Sequence, residues 1–189
     1  TNNGISNLTA RMLLKGTDLR KENEIEGAIE SLGGNISAFS GYNSFGLSLT
    51  FLKGDIDFAL ELLKDILANS NFPQDQIDRE RTLILAMIKD EDDDIFKKGS
   101  YLLRKGLFGN HPYSLRNIGE EESIKSLKRE GLLNFYKTYC IPNNMVISVS
   151  GDIDAESLMG KIEDAFNDMN GKDMTPIPSR EVKLDKVKS

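Results

Sequence analysis

The chain has 189 residues, of which 39% are hydrophobic and 29% charged, as is usual for a globular protein that buries a substantial core. Its net charge of −6, with lysines and arginines dispersed among more numerous acids, disfavours a nucleic-acid-binding function. Cys140 is the single cysteine, which excludes an intramolecular disulfide and a cysteine metal cluster.

The longest apolar run, LILAMI at residues 83–88, is too short to cross a bilayer. We therefore expect a soluble chain with no membrane span, and from its charge we expect a protein or peptide partner, or none. The sequence leaves the cellular location open, and a signal peptide is not observable in it.

The first part of the chain predicts two helices followed by a β-hairpin. Residues 4–17, GISNLTARMLLKGT, place apolar side chains on one helical face, and a second apolar stripe ends at the glycine pair 33–34. From Phe45 the apolar residues alternate with period two, which indicates a strand with one buried face. Residues 35–41 are the expected partner strand.

The rest of the chain is predicted to be mainly helical. Asp55 is expected to cap a third helix, and Pro73 to open a longer helix whose segment TLILAMI is apolar nearly all round and predicted to be buried. The following segments are five acids that end this helix (90–94), a helix (96–107), a loop (109–118), a helix reaching residue 140, a strand (MVISVSG, 145–151), a helix (155–169) and a linker or terminal strand (172–189). Because strands and helices come in blocks, we predict one α+β domain over residues 1–189, with helices on one face of a largely antiparallel sheet.

Few residues could carry chemistry. The one histidine, His111, lies in a proline-containing loop, where we expect a structural or merely exposed role. A serine nucleophile would need the GxSxG turn, which is missing. A dyad of Cys140 and His111 stays open as an alternative, since it depends on whether the fold brings the two residues together.

Five phrases of the sequence, in their order, resemble the pitrilysin/insulinase family of zinc peptidases, to which the mitochondrial processing peptidase belongs. They are MLLKGT (12–17), IESLGGNISAF (29–39), FPQDQIDRER (72–81), GNHPYS (109–114) and FYKTYCIPNNMVISVSGDID (135–154). The resemblance implies a metallohydrolase domain of that type. It also implies that the family's first strands, which precede the motif helix, lie upstream of Thr1.

The residues that the resemblance assigns to catalysis are all replaced. Active members carry H-x-x-E-H in a helix ending in a phrase such as MLFKGT, and the three reactive positions fall here on Asn7, Ala10 and Arg11. The third zinc ligand, a later glutamate, falls on Ala86 or Met87. A guanidinium has no lone pair for a metal, and alanine cannot take a proton from water. We therefore predict no metal and no cofactor in this chain, and no peptide cleavage by it alone.

By this resemblance, the chain is a non-catalytic domain or subunit of a zinc metallopeptidase assembly. It would enclose and bind peptide opposite an active half that carries H-x-x-E-H and holds the zinc. The strand residues Ser37, Ala38 and Phe39 are the candidates for binding peptide by strand addition. The alternative is a structural or scaffolding protein with no peptidase role.

Overall fold

The computed structural model describes residues 2–169 and 171–172. Helices dominate, as the sequence predicts. Their bounds are α1 Ile5–Met12, α2 Glu22–Ser31, α3 Ile56–Asn69, α4 Gln74–Asp93, α5 Ile95–Phe108, α6 Glu121–Ser126, α7 Arg129–Tyr139 and α8 Ala155–Phe166. None of these helices is long and apolar enough to cross a membrane.

The predicted hairpin is present. Strands β1 (Asn35–Ser40) and β2 (Phe45–Thr50) are antiparallel, with a register that runs from Asn35 opposite Thr50 to Ser40 opposite Phe45. A Cβ added at Gly46, which is opposite Phe39, would lie 3.1 Å from the phenyl ring, so a larger residue there would require the ring to shift by a few tenths of an ångström. The structure is thus helix-rich with a small antiparallel sheet, which confirms the α+β fold class.

Helix α1 lies at the centre of the molecule and contacts β1, β2, α4 and α7. Its residues Leu8, Thr9 and Met12 are buried, as the apolar stripe predicts, and Ala10 is buried as well. Gly4, just before the helix, has a φ of +86° and touches Gly119 and Ile124 so closely that no side chain fits. The core gathers buried apolar residues from α1, α2, α3, α4, α6 and α7 and from the segments that join them: Leu8, Met12, Leu13, Ile25, Ile29, Leu62, Ile66, Phe72, Ile77, Ile84, Ile88, Ile124, Leu127, Leu132 and Tyr136.

The burial of α4 differs from the prediction. Ile84 and Ile88 are buried, but Leu83 is 46% and Met87 36% exposed. The helix packs against α1, α5 and α6, and Leu83 and Met87 lie at the margin of the packed stripe, where they stay partly exposed. The acidic run ends the helix as predicted. Its last member, Asp94, then caps α5 by accepting hydrogen bonds from the backbone N–H groups of Phe96 and Lys97.

Two further local predictions are wrong. Asp55 precedes α3 but its side chain makes no capping hydrogen bond, because the chain enters that helix through a short 3₁₀ turn at Lys53–Asp55. Residues 145–150 pair with no strand among the described residues, although their composition favours β structure. Of the predicted linker or terminal strand, residues 173–189 lie outside the described residues.

Candidate functional site

The positions that match the family's reactive residues meet between α1 and α4. Arg11 and Asn7 are one turn apart on α1, and Arg11 Nε donates to Asn7 Oδ1 at 3.2 Å. Arg11 Nη2 reaches across to Met87 Sδ at 3.2 Å on α4. Ala86 is exposed and takes no part in this cluster, so Met87 is the residue that faces the motif helix. Ala10 is buried, with 1% of its surface exposed.

A fourth residue, Glu80, anchors the cluster, and the sequence analysis did not single it out. Its carboxylate accepts from Arg11 Nη1 at 3.1 Å and lies 3.2 Å from Lys15 Nζ. The side chain is only 4% exposed, so its charge needs these partners. The signal in the sequence is its spacing: Glu80 precedes Met87 by seven residues, or two helical turns, and therefore shares its face of α4.

Lys15, in the phrase MLLKGT, extends this ion-pair network. Its Nζ lies 2.5 Å from Glu22 Oε1 on α2, as well as 3.2 Å from Glu80. Burial works to lower the pKa of Lys15, but its hydrogen bonds to the two carboxylates outweigh burial and raise the pKa. The two cations, Arg11 and Lys15, thus balance two carboxylates and tie α1, α2 and α4 together.

The end of the same phrase anchors a second buried carboxylate, Asp65 of α3. Thr17 Oγ1 donates to Asp65 Oδ2 at 2.9 Å and Arg20 Nη1 donates to the same oxygen at 2.7 Å, while Asn69 donates to Oδ1 at 2.9 Å. Burial acts to raise the pKa of Asp65, but the hydrogen bonds from Asn69, Arg20 and Thr17 outweigh it and hold the pKa below its usual range. The phrase KGT therefore has a structural role that needs no catalysis.

The side chains at this cluster do not fit a zinc ion or a hydrolytic reaction. The guanidinium of Arg11 is permanently positive and has no acceptor atom, so it would repel a metal cation. The oxygen of Asn7 already accepts from Arg11, and the thioether of Met87 is only a weak acceptor. Ala10 provides no general base. Within residues 2–169 and 171–172, no group of three His, Cys, Asp or Glu side chains is placed to hold a metal.

His111 and Cys140 have separate surroundings. His111 begins a short 3₁₀ turn at Pro112–Ser114, where its Nδ1 accepts from the N–H of Tyr113 at 3.2 Å and its ring packs edge-on to that tyrosine at 4.8 Å. Cys140 packs against the core, and burial raises the pKa of its thiol to about 12. A thiol with that pKa stays protonated at neutral pH, which is the opposite of what a cysteine nucleophile requires.

The candidate peptide-binding strand β1 lies beside the motif helix. β1 contacts α1, and Ser40 Oγ donates to Ser6 Oγ at 3.2 Å. Among the described residues β1 pairs with β2 alone, so its other edge carries backbone groups without a strand partner. The structure therefore places Ser37, Ala38 and Phe39 on an open edge next to the helix of Asn7 and Arg11.

Comparison with known sequences decides the family. Residues 1–112 match the insulinase family (peptidase family M16), and residues 126–189 match the description "peptidase M16 inactive domain". The chain belongs to the insulinase family. This confirms the resemblance that the five phrases indicate.

Individual relatives agree with this membership. The chain is 28% identical over 173 residues to the probable mitochondrial-processing peptidase subunit beta of Arabidopsis thaliana, covering 92% of this chain and 33% of that protein. It is 29% identical over 173 residues to a zinc protease of Bacillus subtilis, YmxG, covering 90% of this chain and 41% of that one. The chain thus spans about a third to two-fifths of the length of these two relatives.

A solved structure shows the same fold. The peptidase M16 inactive domain of Pseudomonas fluorescens superposes with a TM-score of 0.85 at 22% identity, over 96% of this chain and 45% of that one. At this identity the likeness describes the fold, and the insulinase fold is present here with its motif helix intact.

Proposed function

We propose that this chain is a non-catalytic part of a zinc metallopeptidase assembly, which encloses and binds peptide substrate opposite an active half. One observation carries the proposal: within an insulinase fold, the place of the reactive motif is occupied by a guanidinium bonded to Asn7, Glu80 and Met87. Chemistry is lost at that point while the surrounding packing is kept.

The open edge of β1 supports the peptide-binding part of this proposal. An extended peptide that adds to a strand edge gains main-chain hydrogen bonds without any catalytic residue. The edge lies against α1, so a bound peptide would run past the helix that carries Asn7 and Arg11. Zinc would belong to the active half, because the donor set in this chain does not fit it.

The assembly is tested on the native protein purified from its own cells. Mass spectrometry of the purified material should find H-x-x-E-H and a distal glutamate, either in a stoichiometric partner or in sequence continuous with this chain. That material should hydrolyse a quenched peptide library in a zinc-dependent manner, and the 189-residue chain with added zinc should not. If both the partner and the motif are missing, the scaffolding alternative is the better description.

Peptide binding is tested at β1 with two neighbouring proline variants. Successive residues of a strand direct their N–H groups to opposite edges, so Ser37→Pro and Ala38→Pro each remove one N–H, one from the open edge and one from the β1–β2 ladder. The variant that loses the open-edge N–H should keep its unfolding temperature but bind a fluorescent peptide from the library at least about tenfold more weakly. Unchanged affinity in both folded variants would contradict a role for this edge.

A further inference from the structure

The guanidinium of Arg11 has more N–H donors than the described residues have acceptors for. A guanidinium carries five N–H groups and no acceptor. Among the described residues three acceptors meet it, on Asn7, Glu80 and Met87. The Arg11 side chain is 29% exposed, so a ligand can reach the rest of the group from solvent.

The contact of Arg11 Nη2 is the weakest of the three. Nη2 donates to the thioether sulfur of Met87 at 3.2 Å, and a thioether is a poor acceptor beside a carboxylate. Met87 is 36% exposed and Leu83, one turn earlier on α4, is 46% exposed. The accessible part of the cluster is therefore a cationic donor beside two apolar side chains. An apolar border strengthens a charged hydrogen bond, because it lowers the local dielectric constant.

The accessible charge of this cluster is positive. Glu80 is 4% exposed, so its carboxylate is covered while Arg11 is partly open. The ion pairs around it join three cations (Arg11, Lys15 and Arg79) to two carboxylates (Glu80 and Glu22). An anion is thus attracted to this point and a basic side chain is repelled. Among the anions of proteins, a carboxylate fits the fork of a guanidinium with both of its oxygens.

The cluster lies close to the open edge of β1. Ser40, the last residue of β1, donates to Ser6 at the start of α1. Arg11 follows Ser6 by five residues, a rise of about 7.5 Å along the helix. An extended peptide covers that distance in about two residues. One ligand can therefore pair with the edge of β1 and also place a carboxylate at Arg11.

We propose that Arg11 binds a carboxylate of the peptide that pairs with β1, so that this chain selects peptides with an acidic side chain or a free C-terminus at that point. The inference rests on the proposed peptide-binding function and adds the chemical class of the ligand. The cation at the motif position then holds the peptide without cleaving it, because Ala10 supplies no general base.

The test compares matched peptides on the full-length protein that contains this chain, with EDTA present to stop any cleavage. A fluorescent, terminally blocked peptide of about ten valines and serines carries one glutamate, or one glutamine, at each position in turn. A third set ends in a free carboxylate instead of an amide, at successive lengths. At the best position the carboxylate peptide should bind about tenfold more tightly than its neutral match, and added salt should reduce this preference. A preference seen with glutamate assigns the site to an acidic side chain, and one seen in the third set assigns it to a peptide end.

Three variants assign the preference to its residue. Arg11→Met should reduce the ratio of the two affinities to about one, while the glutamine peptide keeps its affinity within about twofold. Arg11→Lys keeps a cation for Glu80 and therefore the fold, but it lacks the planar fork, so its ratio should fall at least about threefold. The matched control is Arg79→Met, which removes a 65% exposed guanidinium from the same network and should leave the ratio unchanged.

The outcomes separate this inference from the function on which it rests. Equal binding of the glutamate, glutamine and free-acid peptides would overturn the role of Arg11 and leave peptide binding at β1 standing. A preference that survives in both Arg11 variants, or that is lost equally in Arg79→Met, would also overturn it. If no peptide of any set binds, the proposed peptide-binding function fails, and the role of Arg11 fails with it.

Discussion

The ion pair between Arg11 and Glu80 should contribute measurably to stability. Exposed ion pairs contribute roughly 0.2–1 kcal/mol, whereas breaking a fully buried pair costs about 3–5 kcal/mol. This pair lies between the two cases, since the Glu80 side chain is 4% and the Arg11 side chain 29% exposed. When Arg11 is removed, Glu80 still has Lys15 at 3.2 Å. We therefore expect Arg11→Met to cost about 2 kcal/mol of unfolding free energy.

A double-mutant cycle measured by urea denaturation isolates the interaction. Arg11→Met, Glu80→Gln and the double variant should give a coupling energy of about 1–1.5 kcal/mol. The control is Arg79→Met, which should cost less than about 0.5 kcal/mol, because the Arg79 side chain is 65% exposed and its Nη1 lies 3.8 Å from Glu22 Oε2. A coupling energy below about 0.3 kcal/mol would refute the view that these two charges hold α1 against α4.

Three further outcomes follow from the site. Cys140 should resist alkylation: at pH 8.5 about half of a free thiol is ionised, but a pKa of about 12 leaves fewer than about one in a thousand ionised. Iodoacetamide should therefore label it at least about 100-fold faster after unfolding, and equal rates would contradict its burial. The lowered pKa of Asp65 stabilises the fold above the unfolded-state pKa of about 3.9, and this stability is lost as pH falls through the folded-state pKa. Asp65→Asn should lower the free energy of unfolding by about 3 kcal/mol at pH 7 and should flatten its pH dependence between pH 5 and pH 2 or so. An unaltered pH dependence would show that Asp65 is not the group responsible. Finally, Arg11 contacts both Asn7 and Met87, so restoring the motif at these positions should create a zinc site. Calorimetry should give a dissociation constant for zinc in the micromolar range or below, and the variant that keeps Arg11 is the control. A folded variant that fails to bind zinc would show that the side chains do not converge. The substitutions are Asn7→His, Ala10→Glu, Arg11→His and Met87→Glu.

The helices and the hairpin could be predicted from the sequence because their signals are local. The apolar stripe of α1 and the alternation from Phe45 are set by which side of each element faces the core. The exposure of Leu83 and Met87 was missed because TLILAMI is apolar on all sides, and only the positions of α1, α5 and α6 decide which stripe is covered. Periodicity contains no information about neighbours that are distant in sequence.

The sequence predicts the part of the site that lies on α1, but it does not predict the contacts that α1 makes with α4. The phrase MLLKGT locates Asn7, Ala10 and Arg11 by their spacing from it, but the phrase gives no indication that Arg11 is bonded to a residue 69 positions away. In sequence, Glu80 resembles any surface acid of an amphipathic helix. For residues 145–150 the sequence predicts a strand that the structure does not contain. Their β propensity favours a strand, but among the described residues no other strand supplies the hydrogen bonds.

The Arg11–Glu80 pair also joins the motif helix to α4 through contacts that do not require a metal. A buried carboxylate between α1 and α4 needs a nearby positive charge, and here a side chain of the protein supplies it. The packing of these helices should therefore be indifferent to zinc. We expect excess EDTA to shift the unfolding temperature of the chain by less than about 2 °C, which corresponds to less than 1 kcal/mol or so at this size. The variant with the restored motif should lose stability in EDTA, since binding to the native state is then part of its stability. A large effect of EDTA on the unmodified chain would mean that a metal, rather than Arg11, holds the two helices together.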